Sequence, residues 1–425
     1  MSKRRTNQST PNKRRTNQST PNKNTPTNKT NQGAERTLQA SGKKDYITLA
    51  SVIAALSVMF LHTNGCFWWM DPTTDMRWAA ANTIEALFYF AAPLFFMISG
   101  ATLMDYNDRC TLGQYFVRRI KKIIPAFVAW NVVALFYDFY YKKTMALTKG
   151  ANVFSFLFKD GISTVDTMGN PTGTLNFFDG LLNNKFLGIY WFLSSILAVY
   201  LILPLFAAVE KDKRRKIFTY FVLVWLVVCK LIPFLCGVLQ WKFDWPLQEN
   251  GVFLDFIVYA VLGYLVSEYE APTWMRWTIY GLAIVAFLLQ WAGTFYYARE
   301  TGDRFLFKGG RYDKFPSYLY VTGVFLLIKR ISGDVMRWKP MRFLVERMAK
   351  YTFATYLIHW YLMEMFIDMF HMEWFTNLFH CEAIDNLTIA ASLWYRLLTP
   401  FLLYAVCMGI AWVLRKIPFV KRIVP

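Results

Sequence analysis

The chain has 425 residues, 55% of them hydrophobic and 18% aromatic, with a positive mean hydropathy of +0.25. Only 18% are Asp, Glu, Lys or Arg, which is unusual for a soluble globular protein and points to a membrane protein. The formal net charge is nevertheless +19, which excludes an even spread of charge and requires the basic excess to be concentrated.

The concentration lies at the N-terminus. Residues 1–44 hold eleven Lys and Arg against the single acid Glu35, a net +10 that leaves +9 for the remaining 381 residues. The segment KRRTNQSTPN at Lys3–Asn12 returns unchanged at Lys13–Asn22. With almost no apolar residues this tail cannot offset the entropy of ordering, so 1–44 is expected to be a disordered basic low-complexity tail. It does not read as a signal peptide, because the first hydrophobic run lies too far in and is too long. Its charge suits topology and anionic lipid headgroups. No aromatic residue is interleaved with the charges, so nucleic acid is not expected as a partner.

From residue 45 onward the apolar pattern predicts an all-α polytopic membrane domain, 45–425. About ten spanning helices are expected, at 46–64, 80–104, 122–141, 187–209, 217–239, 252–268, 276–297, 317–331, 351–369 and 397–415. Connections 105–121, 210–216 and 332–350 and the segment from Arg415 are basic, so the positive-inside rule places them, with both termini, in the cytoplasm. Loops 142–186 and 298–316 hold five basic residues each and weaken the contrast, but long loops count for less in that rule. Loop 142–186, rich in Gly, Asn, Thr and Pro, reads as a lid or acceptor-facing loop.

Candidate site residues follow in chain order. His62 lies about 24 Å along the first helix, toward the outer third of the bilayer. It reads either as an interfacial residue beside Trp68 and Trp69 or as a group facing a water-accessible vestibule, with Thr63, Asn64 and Cys66 as polar neighbours. In Phe95–Met104 (FFMISGATLM), Ser99, Gly100 and Ala101 read first as a small-residue face for close helix packing. In Phe116–Phe127 (FVRRIKKIIPAF), Arg118, Arg119, Lys121 and Lys122 precede a proline expected to start the third helix. A helix N-terminus beside those cations would favour a phosphate, although ordinary positive-inside charge gives the same pattern. Among the intramembrane charges, Glu85 is the better candidate to orient His62. Lys230 and Asp255 are expected to form a structural pair, and Glu364 and Asp368 share one helix face. Six scattered cysteines without CxxC spacing indicate neither zinc nor a disulfide framework, leaving Cys66–Cys381 as a conceivable bridge.

Four stretches in this order, VIAALSVMFLHTNGCFW, PLFFMISGATLMDY, RRIKKIIPAF with YWFLSSILAVYLILPL, and YTFATYLIH, resemble the membrane acyltransferase 3 family, in particular its WecH-like branch of bacterial surface polysaccharide O-acyltransferases. The resemblance implies a multi-pass protein of the bacterial cytoplasmic membrane. It implies transfer of an acyl group, acetyl foremost, from acetyl-CoA or another acyl-CoA to a hydroxyl of a cell-envelope glycan or its lipid-linked precursor, with no permanently bound cofactor. The family's helix-one histidine falls on His62, its arginine-x-x-arginine motif on Arg119 and Lys122, and its late histidine on His359; Ser99 and Trp191 lie within the other matching stretches. The basic residue that the family usually carries eleven positions before the histidine is Ser51 here. His62 would act as general base or form an acyl-histidine. By the expected topology His359 lies near the inner end of its helix and should not meet His62. A transporter or flippase-like carrier, or an inactive partner in polysaccharide export, is the alternative.

Overall fold

The computed structural model describes residues 27–166, 168–242, 252–310, 312–370, 372, 377 and 384–424. The chain divides into two units, residues 1–42 and 43–425. In the first, both copies of the decapeptide repeat lie outside the described residues. The backbone there is already helical from Thr27, where the sequence led us to expect an unstructured tail to residue 44. The stretch Ala34–Ala40 is rich in good helix formers, and extending an existing helix costs far less than nucleating one.

The second unit is helical at every expected span. Its helices are α1 (Thr27–Trp68, from Lys43), α2 (Met76–Phe88), α3 (Ala91–Leu103), α4 (Leu112–Tyr137), α5 (Val153–Phe158), α6 (Phe177–Leu182), α7 (Trp191–Ala207), α8 (Lys211–Val224), α9 (Ile232–Val238), α10 (Val252–Glu268), α11 (Thr273–Leu288), α12 (Thr294–Thr301), α13 (Phe315–Arg337), α14 (Lys339–Ala349), α15 (Thr352–Phe370) and α16 (Ile389–Leu414). Among the described residues seven helical runs are long and apolar enough to cross a membrane. The other three expected spans are α10, α13 and α15. α10 has 17 residues, α13 carries Lys329 and Arg330 in its second half, and α15 carries His359, Glu364 and Asp368.

The expected second helix is broken at Tyr89–Phe90 into α2 and α3, because Pro93 in the first turn of α3 has no N–H to bond the carbonyl of Tyr89. Loop 142–186 is not irregular. It folds into an antiparallel sheet of order β1 (Met145–Leu147), β2 (Ile162–Val165), β3 (Pro171–Leu175), with Met145 opposite Thr164 and Ile162 opposite Leu175, flanked by α5 and α6.

α10 is the hub. Phe256 through Val261 are fully buried, as a helix apolar on every side must be. α3 crosses it at backbone distance: an added Cβ on Gly100 would overlap the Ala260 carbonyl, and one on Gly263 the Met97 carbonyl. The small-residue face expected in Phe95–Met104 therefore packs through Gly100. A π turn at Trp225–Leu231 brings Lys230 to Asp255, Nζ to Oδ1 2.5 Å, forming the expected buried pair. At the basic end of the bundle, Arg342 of α14 bonds both oxygens of Asp45, at 3.1 and 2.8 Å, and Arg214 bonds Asp105 at 2.6 Å.

Candidate active site

α1 presents Ser51, Val58 and His62 on one face, since steps of seven and eleven residues return to the same side of an α-helix. Four other helices turn comparable faces toward it: Phe95, Ser99 and Thr102 of α3, Arg119 and Lys122 of α4, Phe192, Ile196 and Tyr200 of α7, and Thr352 and Tyr356 of α15. They enclose a cavity of about 230 Å³ with Ser51, Arg119 and Lys122 toward the basic end. A second chamber of about 40 Å³ contains His62, with Val58, Ala92, Trp191 and Tyr312 in its wall. Phe95, Phe192 and Tyr356 line both, so the two spaces adjoin across an aromatic neck. From Ser51 to His62 the rise along α1 is about 16 Å.

His62 Nδ1 lies 2.7 Å from His359 Nε2. This overturns the expectation that the two histidines stay apart. That expectation took the first apolar residue of α15 as the membrane surface. The level of the basic surface is instead reached by α14, where Arg342 meets Asp45 near the start of the second unit; α15 begins ten residues later, with Thr352 already lining the cavity that Ser51 lines. Two turns on, about 10 Å along α15, His359 reaches His62.

The hydrogen bonds settle the tautomers. His359 Nδ1 is 2.7 Å from the Tyr356 carbonyl and 3.2 Å from that of Thr355; carbonyls only accept, so this nitrogen carries the proton. In the neutral ring Nε2 is then the acceptor, and His62 Nδ1–H donates to it. The lone pair of a neutral His62 is left on Nε2, the basic nitrogen. His359 is fully buried, whereas His62 retains exposure and lines the chamber. The Trp360 ring meets His62 edge-on at 5.3 Å.

Glu85 does not orient His62. It accepts from Asn64 Nδ2 at 3.2 Å and faces Lys308 Nζ at 3.8 Å. Lys308, 1% exposed, also sits 3.5 Å over the Trp68 ring. Burial pushes its ammonium down to about 8, and Glu85 opposes that shift.

The basic run divides by helix face. Arg119 and Lys122 line the larger cavity, with Arg119 5.8 Å from the Tyr200 ring and Lys122 6.0 Å from that of Phe353. Arg118 and Lys121 are exposed and outside its lining. The expected helix start at the proline is corrected: α4 begins at Leu112 behind a capping box of Thr111 and Gln114, and Pro125 stands inside it. The helix N-terminus is therefore remote from the cations, and any phosphate would be held by side chains. Ser99 lines the larger cavity while its Oγ donates to the Phe95 carbonyl at 2.9 Å. Trp191 lies in the chamber wall between the rings of Phe256, at 5.6 Å, and Tyr312, at 5.9 Å.

Tyr356 and Tyr312 escaped the sequence reading. Tyr356 could have been found from the i, i+4, i+7 series Thr352, Tyr356, His359. Tyr312 lies in an aperiodic connection that gives no such signal. Glu364 and Asp368 do share a face, turned to the end of α4: Lys142 pairs with Glu364 at 2.5 Å and Tyr141 donates to Asp368 at 2.8 Å. Cys381 lies outside the described residues, and with it the conceivable bridge to Cys66. Among the described residues no His, Cys, Asp and Glu cluster could hold a metal ion.

A family model described as an acyltransferase domain matches residues 44–416, the whole of the helical bundle. No curated protein and no solved structure gives a significant match.

Proposed function

Because the chain belongs to the membrane acyltransferase 3 family, we propose that it transfers an acyl group, acetyl in the first instance, from acyl-CoA to a hydroxyl of a cell-envelope glycan or its lipid-linked precursor, at the bacterial cytoplasmic membrane. One observation carries this reading: the cavity holding Arg119 and Lys122 shares Phe95, Phe192 and Tyr356 with the chamber of His62, so only these rings lie between the two.

In this reading the two cations bind the phosphates of the donor at the basic end, and its extended arm follows the face of α1 from Ser51 toward His62. The acceptor hydroxyl enters from the opposite side. His62 Nε2 takes its proton as the oxygen attacks the thioester carbonyl; the new C–O bond forms, the C–S bond breaks, and the imidazolium returns the proton to the departing thiolate. Such general-base assistance is worth roughly 10² to 10⁴ in rate. His359 keeps Nδ1 of His62 protonated throughout, so the reactive nitrogen is always Nε2. The carrier alternative gains little here, since Lys230 with Asp255 and Lys142 with Glu364 are paired with each other.

The test is transfer of label from radiolabelled acetyl-CoA to candidate envelope glycans by the purified full chain and by His62→Ala. Loss of transfer with unchanged donor binding is expected in the variant; equal transfer by both overturns the role of His62.

A further inference from the structure

We propose that the His62 chamber is an acyl-length gauge that admits a two-carbon acyl group and rejects longer ones, with Ile189 and Ala92 as its limiting walls. This rests on the acyl-CoA reading above and adds to it the residues that set the donor's chain length.

The first ground is size. The chamber measures about 40 Å³ against about 230 Å³ for the cavity below it. In that measure one water-sized group needs roughly 10–15 Å³. The chamber therefore takes about three such groups, which is the methyl, carbonyl carbon and carbonyl oxygen of an acetyl. Each further methylene has to displace wall.

The second ground is that the wall cannot retreat. Ala92 rides on α3, and α3 is locked to α10 by the backbone contacts at Gly100 and Gly263. Trp191 is held between Phe256 and Tyr312. Tyr312 in turn packs 4.3 Å from the Tyr89 ring, and its carbonyl accepts from Tyr259 Oη at 2.8 Å. The backbone of Ile189 is anchored by its carbonyl, which accepts from Tyr356 Oη, and this buried residue lines the chamber as a removable stop. Truncating it leaves that backbone bond in place. Crowding a methylene or more into such a site costs a factor of about 10 to 200 in discrimination.

The experiment follows free CoA thiol released from acetyl-, butyryl- and octanoyl-CoA by the full chain in lipid nanodiscs, with water as the acceptor, alongside equilibrium binding of unacylated CoA. The parent is expected to favour acetyl over butyryl at least tenfold in kcat/KM. Ile189→Ala should narrow that ratio to less than threefold. Ala92→Leu should cut acetyl turnover at least tenfold while CoA binding, which uses the larger cavity, is unchanged. Equal use of acetyl and butyryl by the parent overturns the gauge and leaves the donor reading standing, as does an unchanged ratio in Ile189→Ala. Failure of the parent to bind CoA or to release thiol from any donor overturns the donor reading and the gauge with it.

Discussion

His62 and His359, 297 residues apart in sequence, share one hydrogen bond of 2.7 Å, and its direction is dictated by the Tyr356 and Thr355 carbonyls behind His359. An imidazole fixed in this way presents the same nitrogen to the chamber at every turnover.

Replacing His359 should therefore act on kcat. His359→Ala leaves His62 free to flip tautomer and is expected to lower kcat about 10- to 100-fold, a share of the general-base contribution, with KM for acyl-CoA little changed. His359→Gln, whose amide oxygen can still accept from His62 Nδ1–H, should recover most of it. Steady-state kinetics of both variants check this; equal loss in the two would mean that the ring merely fills space.

The basic run offers an internal control. Arg119→Gln with Lys122→Gln should raise KM for acyl-CoA roughly 10-fold or more, the scale of losing charge-assisted hydrogen bonds. Arg118→Gln with Lys121→Gln removes the same charge from the outside of the same helix and should leave KM within about twofold. Binding of CoA by isothermal titration separates the two pairs.

The Glu85–Lys308 pair should behave as a buried couple. Either Glu85→Gln or Lys308→Met strands a partner and is expected to cost about 3–5 kcal/mol, while the double variant regains most of that loss. Lys308 also gives a pH signature. Its ammonium titrates near 8 in the folded chain against a reference of 10.5. Between about pH 8 and 10.5 the unfolded chain thus binds a proton that the folded chain does not, and in that window this group makes stability rise with pH. Thermal melts of the parent and Lys308→Met from pH 7 to about 8.5, well below the tyrosine value of about 10, should show stability rising more steeply with pH in the parent.

The α3–α10 crossing should tolerate no side chain. Gly100→Val or Gly263→Val forces the helices apart and is expected to cost at least about 1–3 kcal/mol, and to reduce CoA binding because α3 carries one wall of the cavity. Gly281→Val, at a position with nothing within 4 Å of an added Cβ, is the matched control. Melting temperature and CoA affinity measured together test the link.

Much of this was legible in the sequence wherever periodicity or charge carried it. Apolar length located the helices, a π turn was not needed to foresee Lys230 with Asp255, and the three-residue step from Arg119 to Lys122 already places them on one face. Depth was not legible. Nothing in the apolar run from Tyr351 says that α14 occupies the surface layer and lets α15 start deeper, so His359 was assigned the wrong level. The start of α4 was readable, since Thr111 and Gln114 have the spacing of a capping box, but the more conspicuous Pro125 drew the boundary instead. Lys308 and Tyr312 come from an aperiodic connection, and only the folded chain shows that it turns inward.

The close fit of α3 against α10 also bears on how the bundle is made. Residues Gly100 and Gly263 that meet there leave the ribosome more than 160 residues apart. Until α10 has been synthesised and inserted, the groove on α3 has no occupant, and the neck waits longer still, because Tyr356 lies on α15. Assembly of the reaction chamber is consequently a late event in biogenesis, and α15, which brings His359, completes it later still.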